Sequence, residues 1–396
     1  MIDHLPPAAY IHIPFCRRRC YYCDFAISVV GDTPLTSSSL MVTNYVSHLC
    51  QEIKTTAIKD QPLQTIFFGG GTPSLLPVSQ LEIIFNVLEK YLGIASNAEI
   101  SIEIDPGTFD KMQLREYKNL GINRVSLGVQ TFDTKLLEVC GRTHNLQDIF
   151  TAINLIKQAN FTNFSLDLIT GLPYQTIEHC QHSLETAISI APTHLSCYDL
   201  VLEAVTAFGK KYQPESYPLP TDKISSQMYR LTQQMLTNHG YQHYEISNYA
   251  QSQSYQCRHN RVYWENQPYY GFGMSAASYV NNQRFNRPRT RNTYYDWVKK
   301  GAIIDVPYLT ANDRLLETLM LGLRLVEGVN LSSIAQHFGT HIEASIINCL
   351  ETYLEQNLVI INQDELTKAK KLKLSDPEGF LVSNTILATL FEKLDV

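Results

Sequence analysis

The chain has 396 residues, enough for two domains, and 44% of them are hydrophobic, enough for a substantial core. Its formal net charge of −6 excludes a general polyanion binder, which needs a net basic face. Basic residues gather locally instead, at Arg17, Arg18 and Arg19 and again at Arg284, Arg287, Arg289 and Arg291.

In chain order, short apolar strands alternate with helical patterns. A strand at Tyr10–Pro14 precedes a helix over Ser38–Ile53, where Val42, Tyr45, Val46, Leu49 and Ile53 share one face. Gln64–Phe68 precedes a helix over Ser79–Leu92, for which Ser79 and Glu82 have the spacing of a capping box. Ile100–Ile104 precedes Asp110–Leu120, which Gly121 stops. Arg124–Val129 precedes two helices, the second over about Leu146–Ala159. Phe164–Ile169 precedes Thr176–Ile190, and His194–Val201 closes the series. Six such units with short links predict a parallel sheet with right-handed crossovers, too few for a closed eight-fold barrel and suited to an open one.

The rest is less regular. A helix is expected over Asp222–His239 and a short strand over His243–Ser247, followed by an aromatic, Arg-rich region from Tyr255 to Trp297. Helices follow at Asp313–Leu325, Ser332–Phe338 and Ile342–Gln356, then a strand at Asn357–Ile361, a Lys-rich hairpin near Lys368–Lys373 and a last helix at Gly379–Leu394. This divides the chain into 1–240, an open barrel; 241–308, the aromatic and Arg-rich region; and 309–396, a small winged-helix-like α+β module. Winged helices often bind DNA. Within this module Lys368, Lys370, Lys371 and Lys373 form the one basic cluster, so a lid or partner surface is the preferred reading, and no nucleic acid is expected.

The first loop carries the chemistry. Cys16-x3-Cys20-x2-Cys23 sets three thiolates within eight residues. Thiolates suit iron–sulfur clusters, zinc or copper(I). Structural zinc normally closes with four ligands, and His12, the nearest extra candidate, sits on the strand. A [4Fe–4S] cluster normally takes four cysteines, so three leave one iron open for a ligand. The other six cysteines (Cys50, Cys140, Cys180, Cys197, Cys257 and Cys349) are scattered, as in a reducing compartment. Neither a basic-then-apolar leader nor a membrane-length apolar run is visible, so the cytoplasm is expected, with peripheral membrane association left open.

With an aromatic at Tyr22, this motif resembles the signature of the radical S-adenosylmethionine (SAM) proteins. The words Tyr10-Ile-His-Ile-Pro-Phe-Cys16 resemble one branch, the oxygen-independent coproporphyrinogen dehydrogenases and the HemW-type heme chaperones. The resemblance implies a partial (β/α)6 barrel and SAM on the open iron. It also implies SAM contacts from Tyr10, Tyr22, Gly70, Gly71, Thr72, Glu103, Gln130, Arg142 and Asp167. Independently, the glycine turn at 69–71 lets backbone approach a ligand closely. A strand-borne carboxylate pointing into a barrel needs a partner: a sulfonium and a ribose supply one, and pairing among Glu103, Arg142 and Asp167 is the alternative.

Two features choose between the branches. The resembling dehydrogenases carry a cysteine two residues past the third ligand, where this chain has Phe25, and a longer segment than the fifteen residues that precede Cys16 here. His259-Asn260-Arg-Val-Tyr263-Trp264 resembles the heme-binding word of the chaperones. The resemblance thus implies heme held by His259, Asn260, Tyr263 and Trp264, with Cys257 as a second candidate ligand. Tyr263 and Trp264 would stack on the macrocycle, and the later arginines would meet its propionates. A hydrogen-bonded packing role for His259 is the other reading. The expectation is a heme chaperone carrying a [4Fe–4S] cluster and SAM that passes heme to an acceptor protein; the alternative is coproporphyrinogen III dehydrogenation.

Overall fold

The computed structural model describes residues 6–57, 61–363 and 369–394. Six strands alternate with helices: β1 (Ala8–Ile13), α1 (Leu40–Thr56), β2 (Leu63–Gly70), α2 (Val78–Tyr91), β3 (Ile94–Ile104), α3 (Lys111–Asn119), β4 (Arg124–Gln130), α4 (Thr134–Val139), α5 (Leu146–Gln158), β5 (Phe164–Thr170), α6 (Ile177–Ile190) and β6 (His194–Asp199). The strands pair in parallel in that order, forming a partial (β/α)6 barrel. The apolar face read in α1 is the buried one: Val42, Tyr45, Val46, Leu49 and Ile53 all enter the core. Ile11, Phe68, Ile102, Leu127, Leu166 and Leu195, one from each strand, are sealed from solvent. Each such side chain contributes about 1.5–3 kcal/mol. Asp110, Asn145 and Thr176 cap α3, α5 and α6 through their side chains.

The expected capping box at Ser79 does not form. Helix α2 starts one residue earlier, with Pro77 at its N-cap and no side-chain cap. The Pro77 carbonyl accepts from Gln80 and Leu81 N–H, which leaves Ser79 inside the first turn.

Residues 241–308 are woven into the barrel. After α7 (Ala207–Lys211) and α8 (Asp222–Asn238), β7 (Gln242–Glu245) and β8 (Asn248–Ala250) pair antiparallel, and β8 joins β6. Helix α9 (Arg258–Trp264) leads to β9 (Tyr270–Phe272), which lies parallel to β1 at the other edge. The sheet order is therefore β9-β1-β2-β3-β4-β5-β6-β8-β7. A hairpin, β10 (Ala277–Val280) and β11 (Gln283–Asn286), and helix α10 (Arg291–Lys299) complete this part.

The C-terminal residues build a second core around Leu315, Leu319, Leu331, Ile342, Leu372 and Leu390. Helices α11 (Ala311–Gly322), α12 (Leu331–Phe338), α13 (Thr340–Cys349), α14 (Glu351–Glu355), α15 (Glu378–Leu381) and α16 (Ser383–Lys393) surround a three-stranded antiparallel sheet. Its strands are β12 (Val329–Asn330), β13 (Val359–Gln363) and β14 (Lys370–Leu374), with β14 central. The single helix expected over 342–356 is two, because the chain turns at Leu350, which is fully buried in this core. Lys368 lies outside the described residues.

Candidate functional site

The loops at the carboxyl ends of the parallel strands meet on a cavity of about 500 Å³. The cysteine loop follows β1 and is held by backbone. Phe15–Cys16 pairs in parallel with Ser28–Val29, and Cys23 N–H donates to Cys20 O at 3.2 Å. Arg19 reaches back to the Cys23 and Phe25 carbonyls at 3.1 and 2.9 Å. Cys16, Cys20 and Cys23 all border the cavity. Burial pushes the Cys16 thiol up to about 12 and raises Cys23 as well. Such thiols lose their protons to a bound metal rather than to water.

The glycine turn after β2 packs directly on this loop. Gly70 has φ +110°, and a Cβ on Gly71 would lie 2.7 Å from the Phe15 carbonyl oxygen. Gly70 N–H donates to Glu103 at 3.0 Å, Gly71 N–H to Ile13 O at 2.8 Å and Thr72 N–H to Phe15 O at 2.7 Å. These three donors are therefore already engaged within the protein. Thr72 Oγ1 also donates to Cys16 Sγ at 3.5 Å.

Three further strand ends supply the charge. Burial first, and then the Asp167 carboxylate, raise Glu103 to about 8 against the Gly70 N–H. Burial also raises Asp167, opposed by the hydroxyls of Ser196, Ser126 and Ser165. Arg142 pairs with neither: its guanidinium binds Asp105, and it donates to Cys20 Sγ at 3.3 Å, Tyr22 OH at 3.2 Å and Gly128 O at 3.1 Å. Burial alone would raise Asp105, but Arg142, with His144 and Arg17, holds it below the usual carboxylate range. Sequence reasoning missed Asp105. The available signal was strand alternation, which puts residues 103 and 105 on one face. Asp199, Tyr198 and Ser126 also line the cavity and were not foreseen.

These residues fit a thiolate-bound cluster with a cationic ligand beside it. Among the described residues, no three His, Cys, Asp or Glu side chains are gathered into a closed metal site; the three thiols border a common cavity. Two buried carboxyls of raised pKa face the same space, and a cation there relieves both. Tyr22, Gly70, Gly71, Thr72, Glu103, Gln130, Arg142 and Asp167 line it. Tyr10 does not: its hydroxyl bonds His12 Nδ1 at 3.1 Å. His12 in turn bonds the Ala26 carbonyl through Nε2 at 2.8 Å and supports the cysteine loop from behind.

The motif at 259–264 lies elsewhere. His259 bonds Thr65 through Nδ1 and Tyr263 through Nε2, both at 2.8 Å, and stacks on Phe67. Thr65 is five residues from Gly70 along β2, about 17 Å at the usual strand rise, so His259 sits at the opposite end of the barrel from the cysteines. Glu99 accepts from the Arg258 and His259 N–H groups at 3.2 and 3.1 Å and anchors the start of α9. As folded, both ring nitrogens are engaged, and burial lowers the His259 pKa to about 3. Asn260, Tyr263 and Trp264 share this helix, while Cys257 is buried beside Glu99 at 3.7 Å. Of the later arginines, Arg284 is paired with Glu317 and Arg287 with Glu52, so neither is available for a propionate.

Residues 10–187 match the model of the radical SAM superfamily, and residues 309–368 match that of the HemN C-terminal domain. The chain is 50% identical to the protein named heme chaperone HemW of Synechocystis sp., covering 99% of this chain and 98% of that one. It is 35% identical to the protein of that name from Bacillus subtilis, covering 94% and 98%. Among solved structures, coproporphyrinogen III oxidase (HemN) from Escherichia coli superposes with a TM-score of 0.83 at 24% identity, covering 98% of this chain and 91% of that one. That similarity reports the fold.

Proposed function

Since the chain belongs to the HemW family of radical SAM proteins, we propose that it binds heme and passes it to an acceptor protein. In this reading Cys16, Cys20 and Cys23 hold a [4Fe–4S] cluster whose fourth iron takes SAM, and the protein works in the cytoplasm. Among the described residues no helix is long and apolar enough to cross a membrane, so an acceptor in a membrane would be met at its surface. Held at Cys16, Cys20 and Cys23, the cluster with SAM would supply a redox centre and an exchangeable ligand.

The observation that carries the cluster and SAM reading is the meeting of three thiols with two unpaired-by-arginine carboxyls on one cavity. A sulfonium beside Glu103 and Asp167 would draw both carboxyls toward their charged forms and be held by them. Arg142 fixes the Cys20 and Tyr22 side of the wall while Asp105 absorbs its charge. Full-length likeness to the HemW proteins supports heme as the cargo. Phe25, half exposed where the resembling dehydrogenases have cysteine, lines the cavity and favours the chaperone over porphyrinogen chemistry.

The test uses anaerobically reconstituted full chain with reductant and SAM, given heme in one vial and coproporphyrinogen III in another. Stable heme uptake with unchanged coproporphyrinogen is expected. Formation of a decarboxylated porphyrinogen would make the protein a dehydrogenase instead.

A further inference from the structure

A second groove, of about 630 Å³, lies beside the first, between the cysteine loop and the segment leading into α10. Arg19, Arg289 and Arg291 line it, and Asp24 is the one carboxylate among its lining residues. Arg19 bonds only carbonyls, and Arg289 bonds the Asp24 carbonyl with its carboxylate 3.7 Å away. The groove therefore keeps an excess of two positive charges. Phe25 and Val205, 59% and 66% exposed, form its apolar wall. Large apolar side chains held open to water beside uncompensated guanidinium groups suit a flat apolar ligand with carboxylates on one edge.

We infer that heme docks in this groove, its two propionates on Arg19, Arg289 and Arg291 and its ring against Phe25 and Val205. The inference rests on heme being the cargo and moves its site from the α9 motif to the cysteine loop. Cys23, Asp24, Phe25 and Ile27 line both the groove and the cluster cavity.

The experiment titrates heme into reconstituted full chain, alongside an iron porphyrin whose propionates are methyl esters. The variants are Arg289→Glu with Arg291→Glu, and Lys299→Glu with Lys300→Glu as an equal charge change outside the groove. Iron content and unfolding midpoint are checked for each. The groove variant should bind heme at least about tenfold more weakly, since two charge-assisted contacts are lost. The ester should bind wild type and groove variant alike, and the lysine variant should match wild type with heme. If the charge-reversed chain fails to fold, Arg289→Gln with Arg291→Gln is read in its place. Equal heme affinity of wild type and groove variant overturns the groove and leaves heme binding standing. No heme uptake by wild type overturns the heme-binding reading itself, and the groove with it.

Discussion

The Arg287 guanidinium meets the Glu52 carboxylate at 2.7 Å with both side chains sealed from solvent. Glu52 also accepts from Gly273 N–H at 2.8 Å and from Tyr294 OH at 2.6 Å. One carboxylate on α1 thereby fastens the end of β9, the exit of β11 and helix α10. Arg287→Ala leaves it buried without its counter-charge and should lower unfolding stability by about 3–5 kcal/mol. The exposed Arg289→Ala should stay within about 0.5 kcal/mol. Chemical denaturation of both variants checks this; equal losses would mean the buried pair is no latch.

Glu103, with a pKa of about 8, gives the ligand-free protein a pH signature. Unfolded, a glutamate releases its proton near 4.3, whereas in the fold Glu103 keeps it until about 8. The folded state thus binds more protons between these values, and its stability falls as pH rises through that window. Glu103→Gln removes this dependence. The melting temperature of the variant relative to wild type should climb from about pH 5 to pH 8. A difference constant with pH would refute the raised carboxyl.

His259→Ala deletes two buried hydrogen bonds and a ring packed on Phe67. A loss of roughly 2–4 kcal/mol is expected. Heme uptake per folded molecule should not change, because the groove carries the ligand. Loss of heme spectra at an unchanged folded fraction would return the axial role to His259.

Cys16→Ser, Cys20→Ser and Cys23→Ser should each lose reconstituted iron and its thiolate-to-iron absorption. Cys50→Ser and Cys349→Ser should keep both, since Cys50 packs in the core of α1 and Cys349 against the C-terminal core. Iron and sulfide analysis decides it. Equal loss in a remote variant would break the assignment of ligands to the first loop.

Most of the barrel was readable because its signals are local. The apolar face of α1, the caps at Asp110 and Thr176 and the cysteine spacing each involve residues within a few turns of one another. Two expectations failed, one for a local reason and one for a tertiary reason. Pro77, with its fixed φ, begins α2 before the capping box at Ser79 can act, and buried Leu350 bends a helix that periodicity alone keeps straight.

The amino-acid sequence by itself determined the alternation of strands and helices, the three-thiol loop, the glycine turn after the second strand and the family. All depend on neighbours along the chain or on long matched stretches. Only the tertiary structure decided that Arg142 turns to Asp105 rather than Glu103 or Asp167, that His259 is spent on Thr65 194 residues away, and that Arg287 is taken by Glu52 across 235 residues. Those choices depend on which charges burial brings together, and the cost of leaving a buried charge unpaired is paid only once the chain has closed.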